Sequence, residues 1–287
     1  MIEMAVVGGG PAGIAAAIQC QRSGISVTLF EKDRIGGLIK EANLVENYLG
    51  FPGGIPGQKL CDRFEEQLRF HNIRTLQEEV MLVDHDGFHF ILHTALDTYK
   101  AERLVLATGT LPAAARLGFG VDNRTVCDNV MTLAHASDLS IAVLGAGDAA
   151  YDYALRLAKR NDVTIISRGE PRCLPLLRER ALADDRISFL EGRTVQAVRK
   201  LQDGVSLKLK AQSGQEEMLF DRLLIAIGRV PNLTILGPSM EESSESLMNN
   251  GLFYMAGDVV NGDRRQVSIA ASDGIKVAMS VREAAGR

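Results

Sequence analysis

Two stretches of the chain share one pattern. In MAVVGGGPAGIAAAIQCQRSG (4–24) a short apolar run breaks at glycines and resumes with small and apolar residues at helical spacing. IAVLGAGDAAYDYALRLAKRN (141–161) repeats the pattern about 137 residues later. Each predicts a strand, a glycine turn and a helix, and each is followed by a β-branched run, VTLFEKD (27–33) and VTIISRG (163–169), that predicts the next strand. These are two βαβ openings, the unit from which parallel sheets with crossover helices are built. Between them, QKLCDRFEEQLRFHN (58–72) sets Leu60, Phe64 and Leu68 at helical spacing with charges elsewhere. Strands IRTLQ, VMLVD, FHFILHT and RLVLATGT (103–110) are expected next. Further on, RTVQAVRKL (193–201) and VSLKLKAQ (205–212) predict a hairpin around Gly204, and RLLIAIGRVPN (222–232) predicts another strand.

RLVLATGTLP and RLLIAIGRVPN each run from an apolar strand through a glycine to a proline, and both read as hinge exits from a sheet. The simplest organisation is a discontinuous first domain, 1–112 and 230–287, with a second domain, 113–229, inserted into it. PSMEESSESLMNN (238–250) reads as an acidic polar loop. Residues 251–281 read as a strand, then Gly257-Asp258, then a helix opened by Arg265-Gln266. The small and apolar residues of that helix at 269–271, 274–275 and 277–279 predict that it is buried.

Composition narrows the class. A chain of 287 residues, 46% hydrophobic and 24% charged, has the balance of a soluble globular protein of two ordinary domains. Net charge of −4 argues against nucleic acid as a partner. The inserted stretch 113–229 holds 17 Lys/Arg against 15 Asp/Glu, so the acidity lies in the flanking parts. Four scattered cysteines, Cys20, Cys61, Cys127 and Cys173, form neither a disulfide framework nor a metal site, which predicts a reducing compartment. No basic n-region and no apolar run of bilayer length is present, so a cytoplasmic protein without membrane contact is expected. The five histidines have no triad or metal spacing, and His89 and His93 are expected on the surface.

The glycine turns carry the chemistry. Gly8, Gly10 and Gly13 match G-x-G-x-x-G directly after a strand and before a helix. The first permits a tight turn, the second lets backbone approach a pyrophosphate, and the third allows close helix–strand packing. The helix N-terminus supplies N–H donors and positive dipole to the phosphates. Glu31 closes the next strand, where a carboxylate accepts both ribose hydroxyls. The second turn gives Gly145, Gly147 and Ala150, a G-x-G-x-x-A variant. Its following strand ends in Ser167-Arg168 with no carboxylate at the ribose position. Arg168 and Arg172 suit a 2′-phosphate better than a bare diol, which favours NADPH over NADH; the alternative is a solvated basic strand end. Asp258 at a strand end suits a ribityl hydroxyl, and a helix N-terminus aimed at a flavin stabilises the anion formed on reduction. The fold class expected is α/β, two Rossmann-like dinucleotide-binding domains, the second inserted into the first.

GGGPAG, GG at 36–37, VENYLGFPG (45–53), ATG (107–109), GAGDAA, IAIGRVPN, and AGD followed by RQ stand in an order that resembles the low-molecular-weight thioredoxin reductase family of FAD-dependent pyridine-nucleotide oxidoreductases. The resemblance covers nearly the whole chain. It implies FAD held by Gly8, Gly10, Pro11, Ala12, Gly13, Glu31, Lys32, Gly37, Leu38, Asn47, Val80, Ala107, Thr108, Gly109, Gly257, Asp258, Arg265, Gln266 and Val267. It implies NADPH or NADH held by Gly145, Gly147, Asp148, Ala149, Ala150, Arg168 and Arg172. It also implies a homodimer, and two domains that rotate to present nicotinamide and a disulfide to the flavin in turn.

The chain departs from that family at the disulfide. The family's C-x-x-C followed by Asp-Gly belongs between ATG and the second glycine turn. Here the interval reads RLGFGVDNRTVCDNVMTLAHASDLS (116–140), where Cys127-Asp128 resembles the second cysteine and its acid and Arg124 stands at the first. One cysteine closes no intramolecular disulfide, and the family's H-R-R signature is reduced to Ser167-Arg168-Gly169. Thioredoxin reductase activity is therefore not expected. The favoured reading is an FAD-dependent NAD(P)H oxidoreductase passing electrons from reduced flavin to an external redox protein, a ferredoxin or an iron–sulfur enzyme. Relatives without the cysteine pair include ferredoxin–NADP reductases, which carry a C-terminal extension that this chain, ending at Arg287, does not show. A second reading has Cys127 reduce small disulfides alone, its thiolate favoured by Arg124. In a third, ferredoxin reduces the flavin, and a fourth makes the chain a redox sensor or assembly factor, against which the intact second glycine turn argues.

Overall fold

A computed structural model describes residues 1–286. Strand β1 (Ile2–Val7) is buried along nearly its whole length and runs through the glycine turn into α1 (Pro11–Arg22). Pro11 fits the first helical turn because its missing N–H has no intrahelical partner there. After β2 (Val27–Phe30) comes α2 (Gly57–Phe70), which buries Leu60, Cys61, Phe64 and Leu68 as the spacing predicts. It stops where Asn72 turns left-handed at φ +52°. Then follow β3 (Arg74–Leu76), β4 (Val80–His85), β5 (Phe90–Thr94) and β6 (Thr98–Leu106), and a short β7 (Thr110–Pro112).

The middle of the chain holds β8 (Val126–Cys127), β9 (Ser140–Leu144), α3 (Asp148–Leu157), β10 (Asp162–Ile166), α4 (Pro175–Leu182) and β11 (Ile187–Leu190). An antiparallel sheet follows, β12 (Thr194–Lys200), β13 (Val205–Ala211) and β14 (Gly214–Phe220), one strand more than the expected hairpin. The chain then runs through β15 (Arg222–Ile225) and β16 (Arg229–Pro231) into α5 (Pro238–Asn249), β17 (Phe253–Met255) and α6 (Val267–Ala284).

Two compact units result: Met1–Lys40, Glu46–Leu111 and Pro231–Arg287 form unit 1, and Glu41–Val45 with Pro112–Val230 form unit 2. Unit 1 is built on a sheet of order β3-β2-β1-β6-β5-β4. Strands β1, β2, β3 and the end of β6 run parallel, β17 adds a parallel partner to β6, and β4 and β5 are antiparallel. Unit 2 has an all-parallel sheet of order β11-β10-β9-β15-β8. In each sheet the strand that leads into the glycine turn, β1 or β9, sits between the strand its helix leads to and a strand that returns from elsewhere. The loops leaving β1 and β9 therefore open at a topological switch point, where doubly wound sheets bind ligands.

Three expectations need correction. Residues 238–250 are not a loop: α5 begins with Pro238 behind Gly237 and buries Met240 and Leu247 two turns apart. Its serines turn back on the backbone, Ser243 donating to the Ser239 carbonyl at 2.6 Å, which removes their polar cost. Helix α6 is buried on one face only, through Ala270, Gly274, Ala278 and Val281, while Ile269, Ile275 and Met279 are exposed. The strands expected at 103–110 and 222–232 are each broken near a glycine of positive φ, Gly109 (φ +65°) and Gly228 (φ +115°), where the chain turns out of the extended conformation. His89 and His93 are partly exposed at the surface.

Candidate functional site

In unit 1 the glycines of the first turn are fixed by what surrounds them. Gly8 has φ +109°, and a Cβ there would lie 2.2 Å from the Ala107 carbonyl oxygen. The end of β1 thus passes the end of β6 as closely as backbones can. A Cβ on Gly13 would lie 1.9 Å from the Gly8 carbonyl oxygen, so the third glycine is required by helix–strand packing. Around Gly10 nothing would lie within 4 Å of a Cβ, and no side chain caps α1. The Gly36-Gly37 turn closes in from the side: the Gly36 N–H donates to the Gly9 carbonyl at 2.8 Å, and a Cβ on Gly37 would lie 3.2 Å from Gly10 Cα. Gly257 (φ +82°) brings the turn before Asp258 against Ala12. Uncapped N–H donors facing open space between close-packed glycines fit the pyrophosphate of a dinucleotide such as FAD.

Other unit 1 candidates gather near this cradle. Glu31 stands just past β2, where its carboxylate accepts the Gly9 N–H at 2.6 Å and the Asp33 N–H at 2.9 Å. Asn47 donates to Gln266 at 2.8 Å, which joins the 45–53 loop to the residue before α6. Thr108 donates to the Asn232 carbonyl at 2.6 Å, and Asn232 N–H returns a bond to Gly109 at 2.9 Å. The ATG and VPN motifs are therefore one hydrogen-bonded structure. Two candidates stand apart by side chain: Lys32 pairs with Glu79 at 3.0 Å on the surface, and Val80 is packed in the hydrophobic core with Phe30 and Phe90.

Unit 2 repeats the design. A Cβ on Gly145 would lie 2.4 Å from the Ala226 carbonyl oxygen and 2.9 Å from Ala150 Cβ. Gly147 is open and α3 carries no side-chain cap. The loop after β10 folds over this turn: Arg172 N–H donates to the Ala146 carbonyl at 2.7 Å, and Leu174 N–H to Asp148 Oδ1 at 2.8 Å. Arg172 is thereby held beside the glycine turn, and Arg168 stands four residues earlier at the strand end; both are exposed. Ala149 is exposed in the first turn of α3, whereas Ala150 is fully buried. An open glycine turn with two exposed guanidiniums has the chemistry to take a phosphorylated dinucleotide.

Cys127 lies in β8 and is fully buried in the unit 2 core beside Val130, Ile141 and Leu224. Burial pushes its thiol up, against a hydrogen bond with Thr132, and the cation acting on it is Arg222, not the expected Arg124. A neutral, enclosed thiol is a packing residue. All four cysteines are free, and burial pushes Cys20 up to about 12 and Cys61 up to about 11. Among the described residues no group of His, Cys, Asp and Glu could hold a metal ion.

Sequence reasoning passed over a polar cluster on α3. Burial raises the Asp152 carboxyl above its ordinary range although it accepts the N–H groups of Asn43 and Leu44. Burial and the neighbouring Glu41 raise the Tyr153 hydroxyl, which donates to Glu41 at 2.6 Å. Nothing in DAAYDYALRL marks these positions, because their partners lie more than a hundred residues away.

Comparison with known proteins agrees with this geometry. The family model described as pyridine nucleotide-disulphide oxidoreductase matches residues 2–274. A thioredoxin reductase of Helicobacter pylori is 30% identical over 98% of this chain and 98% of its own length. Crystal structures of thioredoxin reductases from Lactococcus lactis and T. acidophilum each superpose with a TM-score of 0.85 over 99% of both chains, at 23% and 24% identity. No described helix is long and apolar enough to cross a membrane.

Proposed function

The chain belongs to the pyridine nucleotide-disulphide oxidoreductase family, as an FAD-dependent oxidoreductase of thioredoxin reductase-like fold with FAD and NADPH as cofactors, and from that premise we propose that it delivers electrons from NADPH to an external redox protein without an internal dithiol. Unit 1 is then the FAD-binding domain and unit 2 the NADPH-binding domain. The observation that carries the reading is Cys127: the one cysteine in the interval where the family keeps its pair is enclosed in the unit 2 core. FAD, when bound, accepts electrons in a pair from a nicotinamide and releases them in a pair or singly. That capacity suits an iron–sulfur acceptor such as a ferredoxin.

The chain's own residues bind and orient. Gly8, Gly10, Gly13 and Gly37 leave room for the pyrophosphate of FAD, and Glu31 is placed to accept from its ribose. Gly257, Asp258 and the start of α6 supply the flavin end, with Asn47 holding Gln266 in place. In unit 2, Gly145, Gly147 and Ala150 shape the NADPH turn, and Arg168 and Arg172 take the 2′-phosphate. No side-chain acid or base is needed; geometry and exclusion of water govern transfer between the two rings. The burial of Cys127 speaks against the reading in which it reduces small disulfides alone.

The test is an anaerobic assay of the FAD-loaded protein with NADPH and a panel of acceptors. Reduction of a ferredoxin, with none of thioredoxin or of low-molecular-weight disulfides, is the expected result. Turnover with thioredoxin or a small disulfide, and none with iron–sulfur proteins, would sink the proposal.

A further inference from the structure

Within unit 2, residues 167–174 connect β10 to α4 and carry Arg168 and Arg172 at exposed positions. An arginine on a loop discriminates between ligands only if its backbone is held in place beforehand. At the near end, the Ser167 hydroxyl donates to the Gly169 carbonyl at 2.8 Å. At the far end, two bonds reach the second glycine turn: Arg172 N–H donates to the Ala146 carbonyl at 2.7 Å, and Leu174 N–H to Asp148 Oδ1 at 2.8 Å. Cys173, between them, packs partly buried against the unit 2 core. The bond through Ala146 joins main chain to main chain and is indifferent to sequence. The bond through Asp148 depends on a side chain.

Asp148 is otherwise an unfavourable residue for its place. It opens α3, whose first N–H groups are the donors that a pyrophosphate needs. A carboxylate there suits the helix dipole but repels the phosphates of any dinucleotide. We infer that Asp148 is a positioning residue for 2′-phosphate selectivity, its carboxylate latching the segment that carries Arg168 and Arg172 beside the glycine turn. The inference rests on the assignment of the GAGDAA turn to NADPH and of the two arginines to its 2′-phosphate. Removing the carboxylate then has two opposed effects. Loss of the latch weakens NADP+ alone, because NAD+ offers the guanidiniums no 2′-phosphate, whereas loss of the charge strengthens both nucleotides.

Isothermal titration of NADP+ and NAD+ into the FAD-loaded protein tests this in the wild type, Asp148→Ala and Asp148→Asn. Amide hydrogen exchange at Leu174 reads the latch directly. Asp148 is exposed, so neither substitution disturbs the core. The wild type should bind NADP+ more tightly than NAD+. Asp148→Ala should cut that preference about tenfold and speed exchange at Leu174 about tenfold, while amides in the later turns of α3 stay slow. Asp148→Asn keeps an oxygen acceptor without the charge, so its preference should stay within about twofold of the wild type. Equal changes for the two nucleotides in Asp148→Ala, or the same loss of preference in Asp148→Asn, would overturn the selectivity role. Unchanged exchange at Leu174 in Asp148→Ala overturns the latch. If the wild type binds neither nucleotide, the proposed function of unit 2 fails first, and exchange at Leu174 then decides the latch alone. If it binds both without preference, the selectivity role falls.

Discussion

Glu31 shapes the first turn by accepting the Gly9 N–H at 2.6 Å, and the proposed function gives it the ribose of FAD as a second partner. Glu31→Ala should lower FAD affinity about ten- to a hundredfold, since a charge-assisted hydrogen bond contributes about 1.5–3 kcal/mol; isothermal titration of FAD into stripped protein measures it. Arg168 and Arg172 are exposed beside the second turn, and replacing both with Ala should abolish a preference for NADPH over NADH in flavin reduction while the bound-FAD spectrum stays as it was. Cys127→Ser should leave nucleotide-driven flavin reduction and delivery to a ferredoxin nearly intact, though the buried hydroxyl will lower thermal stability. A large loss of turnover in that variant, with FAD bound and the fold kept, would return the thiol to the mechanism. These residues were legible in the sequence because each stands at a fixed offset from a glycine turn. The enclosure of Cys127 was not, because burial in β8 depends on pairing with β15, nearly a hundred residues on.

At the scale of elements, the approach of α1 to α6 limits what unit 1 tolerates. A Cβ on Gly274 would lie 2.1 Å from the Ala12 carbonyl oxygen and 2.9 Å from the Ala16 N, so Gly274→Ala must push the two helices apart. The cost should be about 1–3 kcal/mol, read from chemical denaturation, with FAD affinity reduced because Ala12 and Gly257 pack at the same contact. Glycine spacing and β-branched runs revealed both βαβ openings, since their signal is local. Helix α5 escaped because its serines compete for backbone hydrogen bonds and favour turns in isolation, and burial of Met240 and Leu247 favours the helix. The polar cluster on α3 escaped for a related reason: its bonds join residues 109 to 115 positions apart, and neither end carries a motif.

The whole molecule has two units, each with a glycine turn at the switch point between parallel strands, and four free cysteines with no pair to exchange electrons. Its electron capacity should therefore be that of the flavin alone, and anaerobic titration of the FAD-loaded protein with NADPH measures that capacity. The account predicts that the flavin spectrum bleaches fully at one equivalent of NADPH per FAD, with no further NADPH oxidised and no thiol gained on alkylation. Consumption of a second equivalent, with two new thiols appearing, would show a redox-active disulfide and contradict it.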